Sequence, residues 1–101
     1  MAKKSTKYFI LMGDVVSSRG YEAKLLHKEL KALIQSCNEE LRDILSPYTI
    51  TLGDEFQGIT TSLEASIKTL FFIEEECLKQ KLGFKLHYVL HFGEIETEIN
   101  S

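Results

Sequence analysis

Three carboxylates stand where they could hold a cation. Asp14 follows an apolar run near the start of the chain, and Asp54 and Glu55 stand side by side in the sequence ITLGDEFQGIT, between two β-rich runs. Carboxylate oxygens on a rigid strand edge suit Mg²⁺ or Mn²⁺, which keep some of their waters and complete their shell with phosphate oxygens. A site of this kind requires a fold that brings Asp14 to Asp54 and Glu55.

The segment after Asp14 offers groups that bind phosphate. The sequence VVSSRG supplies consecutive backbone N–H groups, two hydroxyls and a guanidinium. A loop that leads into a helix N-terminus is a natural place for a phosphate, because unpaired N–H groups and the helix dipole both attract anions. Val16, Ser17, Ser18 and Arg19 are therefore candidate phosphate-binding residues.

The first half of the chain predicts one buried strand and one long helix. Residues 7–13, KYFILMG, are apolar at odd and even positions alike, which is typical of a strand buried on both faces. From Tyr21 to about Leu45, apolar residues recur three or four apart, which predicts a helix. Pro47 should end that helix, because the residue before a proline avoids the helical region. The apolar stripe of this helix consists of Leu26, Leu30, Leu33, Cys37, Leu41 and Ile44.

A hairpin follows the predicted helix. The sequence YTITLG alternates apolar and polar residues from Tyr48, which indicates a half-buried strand near a sheet edge. EFQGITT is its predicted partner, and Gly53 and Asp54 supply the turn.

The rest of the chain predicts a second helix and a last strand. Thr61 and Glu64 have the spacing of a capping box, and Gly83 stands where a C-terminal cap belongs. The predicted apolar stripe of the helix is Ile67, Leu70, Phe71, Cys77 and Leu78, and Tyr8, Phe71 and Phe72 are assigned to the core. The sequence FKLHYVLHFG then predicts a strand with Phe84, Leu86, Tyr88, Leu90 and Phe92 on one face and Lys85, His87 and His91 on the other.

The order β-α-β-β-α-β predicts a ferredoxin-like α+β fold. Its four-stranded sheet has the spatial order 4-1-3-2, with both helices on one face. The doubly apolar first strand belongs in the centre, and the alternating second and fourth strands belong at the edges. The C-terminal end of strand one then lies beside the N-terminal end of strand three, about 4.8 Å away. This topology predicts that Asp14 converges with Asp54 and Glu55.

Structural roles account for some of the same residues. A Gly-Asp pair is common turn chemistry, and an Asp after a strand often caps the next helix. His87 and His91 are four apart on one strand, about 13 Å, which is too far for one metal ion, so we expect solvated side chains. Cys37 and Cys77 lack metal-ligand spacing, and we expect buried thiols.

Composition limits the classes of partner. The 101 residues carry a net charge of −3 and 44% apolar side chains, which fits one domain with a real core and gives no electrostatic footprint for nucleic acid. The open sheet face would offer Lys85, His87 and His91 without an aromatic stacking pair, so direct nucleic-acid binding is disfavoured. The sequence shows no signal peptide and no membrane-spanning stretch, and we expect a cytoplasmic protein.

The acidic motifs carry a resemblance. GDEF at residues 53–56, with an acid at the end of the first strand, resembles the GGDEF and class III nucleotidyl cyclase superfamily, and LHFGEIET resembles the Gly-Glu pattern that follows the fourth cyclase strand. More closely, YFILMGDVVSSRG and TLGDEFQGIT together resemble the SatD family of bacterial proteins, whose biochemical role is poorly defined. That resemblance covers nearly the whole chain.

The resemblance implies a set of roles. In cyclases of this superfamily, the first-strand acid and an acid of the hairpin hold two divalent cations on a nucleoside triphosphate. It implies Asp14 as the first metal ligand, assisted by the carbonyl of Val15. It implies Asp54 by the class III pattern, or Glu55 by the GGDEF pattern, as the second ligand, and a phosphate cradle formed by the backbone of residues 16–18.

The chain also departs from these patterns. Leu52 replaces the first Gly of GGDEF, and Val16 replaces the second acid of the cyclase D-x-D pattern. The transition-state Lys and Arg of cyclases come after the fourth strand of a longer domain, and SatD-like proteins are longer too. We therefore expect residues 1–101 to form one domain at the N-terminal end of a longer protein, and whether it is an enzyme stays open.

Two hypotheses follow. The first is a domain that binds Mg²⁺ or Mn²⁺ and a nucleotide or other phosphate-bearing small molecule. The second is a non-catalytic regulatory or dimerisation domain, in which the acids serve only turns and caps. A homodimer fits both, because class III cyclases and many ferredoxin-like domains pair.

Overall fold

The computed structural model describes residues 2–18, 20–51 and 53–99, and it describes side chains from Lys7 to Glu94 within those ranges. The predictions that concern Arg19 and Leu52 fall on residues outside these ranges. The elements follow the predicted order: β1 (Ala2–Ser17), α1 (Ala23–Glu40), β2 (Ile44–Ile50), β3 (Glu55–Thr60), α2 (Leu63–Lys79) and β4 (Lys85–Ile99).

The four strands form one sheet in the order β2-β3-β1-β4, in which every neighbouring pair is antiparallel. Read from the other edge, this is the predicted order 4-1-3-2. The ferredoxin-like fold is therefore confirmed, with β1 in the centre and β2 and β4 at the edges.

Both helices pack on one face of the sheet, and the core lies between them. Leu11 of β1 and Phe56 of β3 point to this face and belong, with Leu30 of α1 and Ile73 of α2, to one buried cluster. Gly13 is the register partner of Phe56. A Cβ atom at Gly13 would overlap the Phe56 ring, so glycine lets that ring lie flat across β1.

Strand β1 is longer than predicted. The segment from Asp14 to Ser17, predicted as a loop, continues the strand because β4 pairs with it up to Lys85, with a bulge between Val15 and Ser17. At its N-terminal end, β1 extends past Phe9, where its pairing with β3 stops. This extension pairs with β4 alone and forms a two-stranded ribbon. The domain is consequently elongated, with extents of 58 × 23 × 18 Å.

Helix α1 is shorter than predicted. It ends at Glu40, and Leu41 is its C-cap in an extended conformation. Asp43 has a positive φ of 63°, which reverses the chain so that Ile44 starts β2 rather than completing the helical stripe. Pro47 lies inside β2, where an edge strand tolerates the missing N–H group, and the pairing with β3 shifts between Ser46 and Thr49.

The ends of α2 also differ from the prediction. Ser62, not Thr61, is the N-cap, and its hydroxyl accepts the Ala65 N–H at 3.0 Å. At the C-terminal end, Lys81 rather than Gly83 takes the left-handed conformation, with φ of 52°.

The predicted apolar stripe of α2 was wrong at three of its five positions. Ile67, Phe71 and Leu78 are exposed, whereas Leu70 and Cys77 are half-buried. Beside Ile73, the buried positions are small or polar: Ala65, Ser66 and Thr69. The polar ones are buried because they are paired: the Ser66 and Thr60 hydroxyls are 2.7 Å apart, and the Tyr48 hydroxyl donates to Thr69 at 3.0 Å. Tyr8 and Phe72, also assigned to the core, are half-buried.

On the helix-facing side of β4, burial decreases from Phe84 to Phe92. Phe84 is buried and Leu86 and Tyr88 are half-buried, as their predicted face requires, but Leu90 and Phe92 are exposed. Among the described residues, no helix combines the length and apolarity needed to cross a membrane.

Candidate functional site at the end of the central strand

The strand register brings Asp14 beside a second carboxylate. Asp14 is the Cα partner of Glu55 on β3 and of His87 on β4. Residues directly opposite each other in antiparallel strands point to the same face. Asp14, Glu55 and His87 therefore form a row across three strands, on the face away from the helices, which we call the open face.

Asp54 is directed to other surroundings. It lies in the β2–β3 turn, where Gly53 has a positive φ of 56° and the Asp54 carbonyl accepts the Val15 N–H at 3.2 Å. With Ala23, Leu26 and His27 at the start of α1, it lines a cavity of about 210 Å³ on the helix side. The two neighbouring acids of the hairpin thus face opposite sides of the sheet.

A shallow cavity of about 220 Å³ accompanies Asp14 and Glu55 on the open face. Its polar lining is the two carboxylates with Thr51 and Gln57, and its apolar lining includes Met12 and Val89. Within residues 2–18, 20–51 and 53–99, no group of three or more His, Cys, Asp or Glu side chains could hold a metal ion. Two carboxylates match the way Mg²⁺ is commonly held, since its other ligands are waters and substrate phosphates.

His87 is the neighbour of Asp14 that sequence reasoning missed. Its Nδ1 lies 3.4 Å from Asp14 Oδ1, with the two side chains 63% and 42% exposed. Water screens such a contact, so it adds little to stability. The predicted pairing of β1 with β4 is the signal that places His87 opposite Asp14.

The candidate phosphate residues divide between strand and turn. Val16 and Ser17 are exposed residues of β1. Ser18 is half-buried and its carbonyl accepts the Tyr21 N–H at 3.0 Å, closing a turn before α1. Arg19 lies outside the described residues. The N-cap of α1, Glu22, makes no side-chain capping bond, which leaves the first-turn N–H groups without that partner.

Another cavity lies between α1 and the edge strand β2. It measures about 530 Å³ and is lined by Lys31, Ile34, Gln35 and Ile50, among others. The side chain of Asn38 closes one end: its amide donates to the Tyr48 carbonyl at 2.9 Å and its oxygen accepts the Tyr48 N–H at 2.8 Å.

The two cysteines have the character of core thiols. Burial raises the pKa of Cys37 to about 12 and that of Cys77 to about 11. A thiol that stays protonated at neutral pH is a poor nucleophile and a poor metal ligand. The cysteines therefore take no part in the acidic site.

The β-α-β-β-α-β order and the strand order β2-β3-β1-β4, with Asp14 on the central strand and Asp54 and Glu55 on the neighbouring hairpin, define a ferredoxin-like domain. The chain belongs to the SatD family, whose model matches residues 8–101. No protein of curated function matches the chain.

Solved structures with this fold include cyclase catalytic domains. A non-canonical dimeric guanylyl cyclase domain from the aquatic fungus Blastocladiella emersonii superposes with a TM-score of 0.56 at 15% identity, over 98% of this chain and 64% of the cyclase chain. The catalytic core of a rhodopsin-guanylyl cyclase with converted specificity, in complex with ATPαS, gives 0.54 at 15% identity, over 97% and 64%. This chain thus spans less than two thirds of the length of either cyclase.

The fold is shared by other classes too. A proposed antibiotic biosynthesis monooxygenase from Deinococcus radiodurans gives a TM-score of 0.51 at 17% identity, over 92% of this chain and 97% of that one. At such identities the likeness shows the fold alone, and the function has to be argued from the site.

Proposed function

We propose that this domain binds a divalent cation, Mg²⁺ or Mn²⁺, together with a nucleotide or another phosphate-bearing small molecule. The observation that carries the proposal is the register pairing of Asp14 with Glu55 on the open face. Two carboxylates on adjacent strands repel each other unless they are protonated or bridged by a cation. A cation between them would relieve that repulsion and offer its free positions to phosphate oxygens.

Each residue of the site has a separate role in this proposal. Asp14 is the first ligand, and the carbonyl of Val15 assists it. Glu55 is the second ligand, because it shares a face with Asp14, whereas Asp54 would have to reach from the helix side of the turn. The backbone of residues 16–18 contacts the phosphates, and Arg19, which lies outside the described residues, is a further candidate for this role.

The cation is needed electrostatically as well as geometrically. The chain carries a net charge of −3, so a phosphate group near Asp14 and Glu55 would meet further negative charge without it. If a longer protein containing this domain transfers phosphoryl groups, the bound cation would stabilise the charge that develops on them.

A second candidate function is a regulatory or dimerisation domain with a degenerate site. The contact between His87 and Asp14 favours it, because an imidazole already occupies one side of the carboxylate. In that case Asp54 serves the hairpin turn, and substituting the acids changes no binding.

A thermal-shift experiment tests the proposal. The melting temperature is measured with and without Mn²⁺ and a panel of nucleoside triphosphates, for the wild type and for Asp14→Asn, Glu55→Gln and Asp54→Asn. A ligand at about 100 times its Kd stabilises a fold by about 2.7 kcal/mol, which for a domain of this size raises Tm by on the order of 10 °C.

We expect a cation-dependent rise that disappears in Asp14→Asn and Glu55→Gln and is weakened less in Asp54→Asn. Glu40→Gln, an exposed acid at the end of α1, is the control that should keep the full rise. A wild type that shows no rise with any nucleotide while remaining well folded would support the degenerate site instead.

A further inference from the structure

Helix α2 presents large apolar side chains to solvent. Phe71 is 65% exposed, Leu78 is 80% exposed and Ile67 is 39% exposed. At 100° per residue these three lie within a narrow arc that points away from the buried side of the helix, which carries Thr69 and Ile73. An outward apolar stripe of this kind on a described helix indicates a surface that meets another surface.

Strand β4 extends the same surface. The Tyr88 hydroxyl donates to Glu74 at 2.7 Å, and Leu78 lines a groove with Leu86, so α2 runs alongside β4. Two and four residues beyond Tyr88, Leu90 and Phe92 point to the helix side of the sheet and are exposed. We define the α2 face as Ile67, Phe71, Leu78, Leu90 and Phe92.

Charges beside the apolar stripe indicate which partner fits. Two ion pairs lie one behind the other along α2: Glu64 with Lys68 at 3.3 Å, and Glu75 with Lys79 at 3.4 Å. All four side chains are more than 60% exposed. These four residues lie on one flank of the apolar stripe, where the order along the helix is acid, base, acid, base, whereas Glu74 and Glu76 lie off this flank.

This pattern is self-complementary about a two-fold axis. If two α2 helices pair antiparallel with the axis beside Phe71, Lys68 of one copy lies opposite Glu75 of the other, and Glu64 lies opposite Lys79. The same axis brings Ile67 of one copy within about one helical turn of Leu78 of the other, and the two Phe71 rings near each other. A parallel pairing would instead place the charged flanks of the two helices on opposite sides of the interface, so these charges would not pair.

We propose that the α2 face is a homodimer interface, in which a second copy of this chain packs its α2 antiparallel against the first. The interface lies on the helix side of the sheet, opposite the open face that carries Asp14 and Glu55. It is therefore independent of cation binding, and each proposal can fail without the other.

Sedimentation equilibrium of the 101-residue chain tests the interface. We expect a dimer in the wild type and a monomer in Phe71→Lys, because a charge at the centre of the apolar stripe cannot be desolvated without a partner. The side chain is exposed in the monomer, so circular dichroism and Tm should show an intact fold. Val89→Lys, which alters an exposed apolar residue of the open face, is the matched control and should remain dimeric.

Charge reversal tests the antiparallel arrangement. Lys68→Glu and Glu75→Lys should each weaken the dimer about tenfold, since each change acts twice by symmetry, and the double variant should regain the wild-type Kd. The proposal is overturned if the wild type stays monomeric at 100 times the protein concentration used for sedimentation equilibrium. It is also overturned if Val89→Lys dissociates the dimer and Phe71→Lys does not. A double variant that stays as weak as the single variants overturns the antiparallel register.

Discussion

At the scale of single residues, the position of Asp14 on β1 depends on the glycine that precedes it. Gly13 precedes Asp14 and lies under the ring of its register partner Phe56, so the backbone that carries the acid is fixed by an aromatic ring packed directly on it. The carboxylate projects from the opposite face of the same strand. Core packing on one side therefore sets the position of the candidate ligand on the other.

Gly13→Ala should destabilise the domain by about 1–3 kcal/mol, because its methyl group would occupy the space of the Phe56 ring. Urea denaturation measures the effect. The double variant with Phe56→Leu identifies the cause: if the ring is the obstacle, the two changes together cost less than their sum. A Gly13→Ala variant as stable as the wild type would contradict the close packing described here.

At this scale the sequence predicted which acids are candidate ligands, but not to which side of the sheet each of them points. Alternation along a strand follows from the register, and register depends on the turn. The sequence left Asp54 and Glu55 as equal alternatives, whereas the pairing of Asp14 with Glu55 separates them. His87 was missed for the same reason, since only its pairing with Asp14 gives it significance.

At the scale of elements, α1 protects the sheet edge that β2 would otherwise expose. The Asn38 side chain offers Tyr48 one donor and one acceptor, as a peptide group of a neighbouring strand would. An unpaired edge is a template for pairing with another chain, and natural sheets commonly block it.

Asn38→Ala should lose both hydrogen bonds to Tyr48 and cost about 1–2 kcal/mol. It should also increase concentration-dependent association, because the β2 edge gains a free donor and acceptor. Thermal unfolding and light scattering across a concentration series measure the two effects. Gln35→Ala is the control on the same helix: its amide reaches only Glu39, at 3.3 Å and in solvent, and we expect no change in either measurement.

The spacing of apolar residues predicted the helices and strands well, but it predicted the buried face of α1 better than that of α2. The stripe of α1 from Leu26 to Cys37 is buried as predicted, because that helix covers the sheet with apolar residues. The stripe of α2 was wrong at Ile67, Phe71 and Leu78, since much of its inward side is built from small and hydroxyl-bearing residues that hydrogen-bond across the core. Hydrophobicity alone cannot recognise a buried Ser66 or Thr69 without its partner.

At the scale of the whole molecule, the sheet separates two surfaces. The open face carries the acidic cavity of Asp14 and Glu55, and the helix side carries the α2 face. The likeness to cyclase domains extends over nearly all of this chain but only 64% of theirs, so the comparison concerns the fold of the shared part. The sequence predicted that shared part from its β-α-β-β-α-β order, whereas the ribbon of β1 and β4 gave no separate signal.

The ribbon makes the chain suitable for circular permutation. Ala2 is the register partner of Ile99, so a short Gly-Ser linker could join the two ends without disturbing the sheet. The join would lie about 40 Å from Asp14, given about 3.4 Å per residue along β1. A permutant with new ends between Lys81 and Leu82 should keep the circular dichroism spectrum of the parent and any cation-dependent rise in Tm that requires Asp14. Loss of the fold would show that the order of the elements along the chain matters more than the contacts of the folded state.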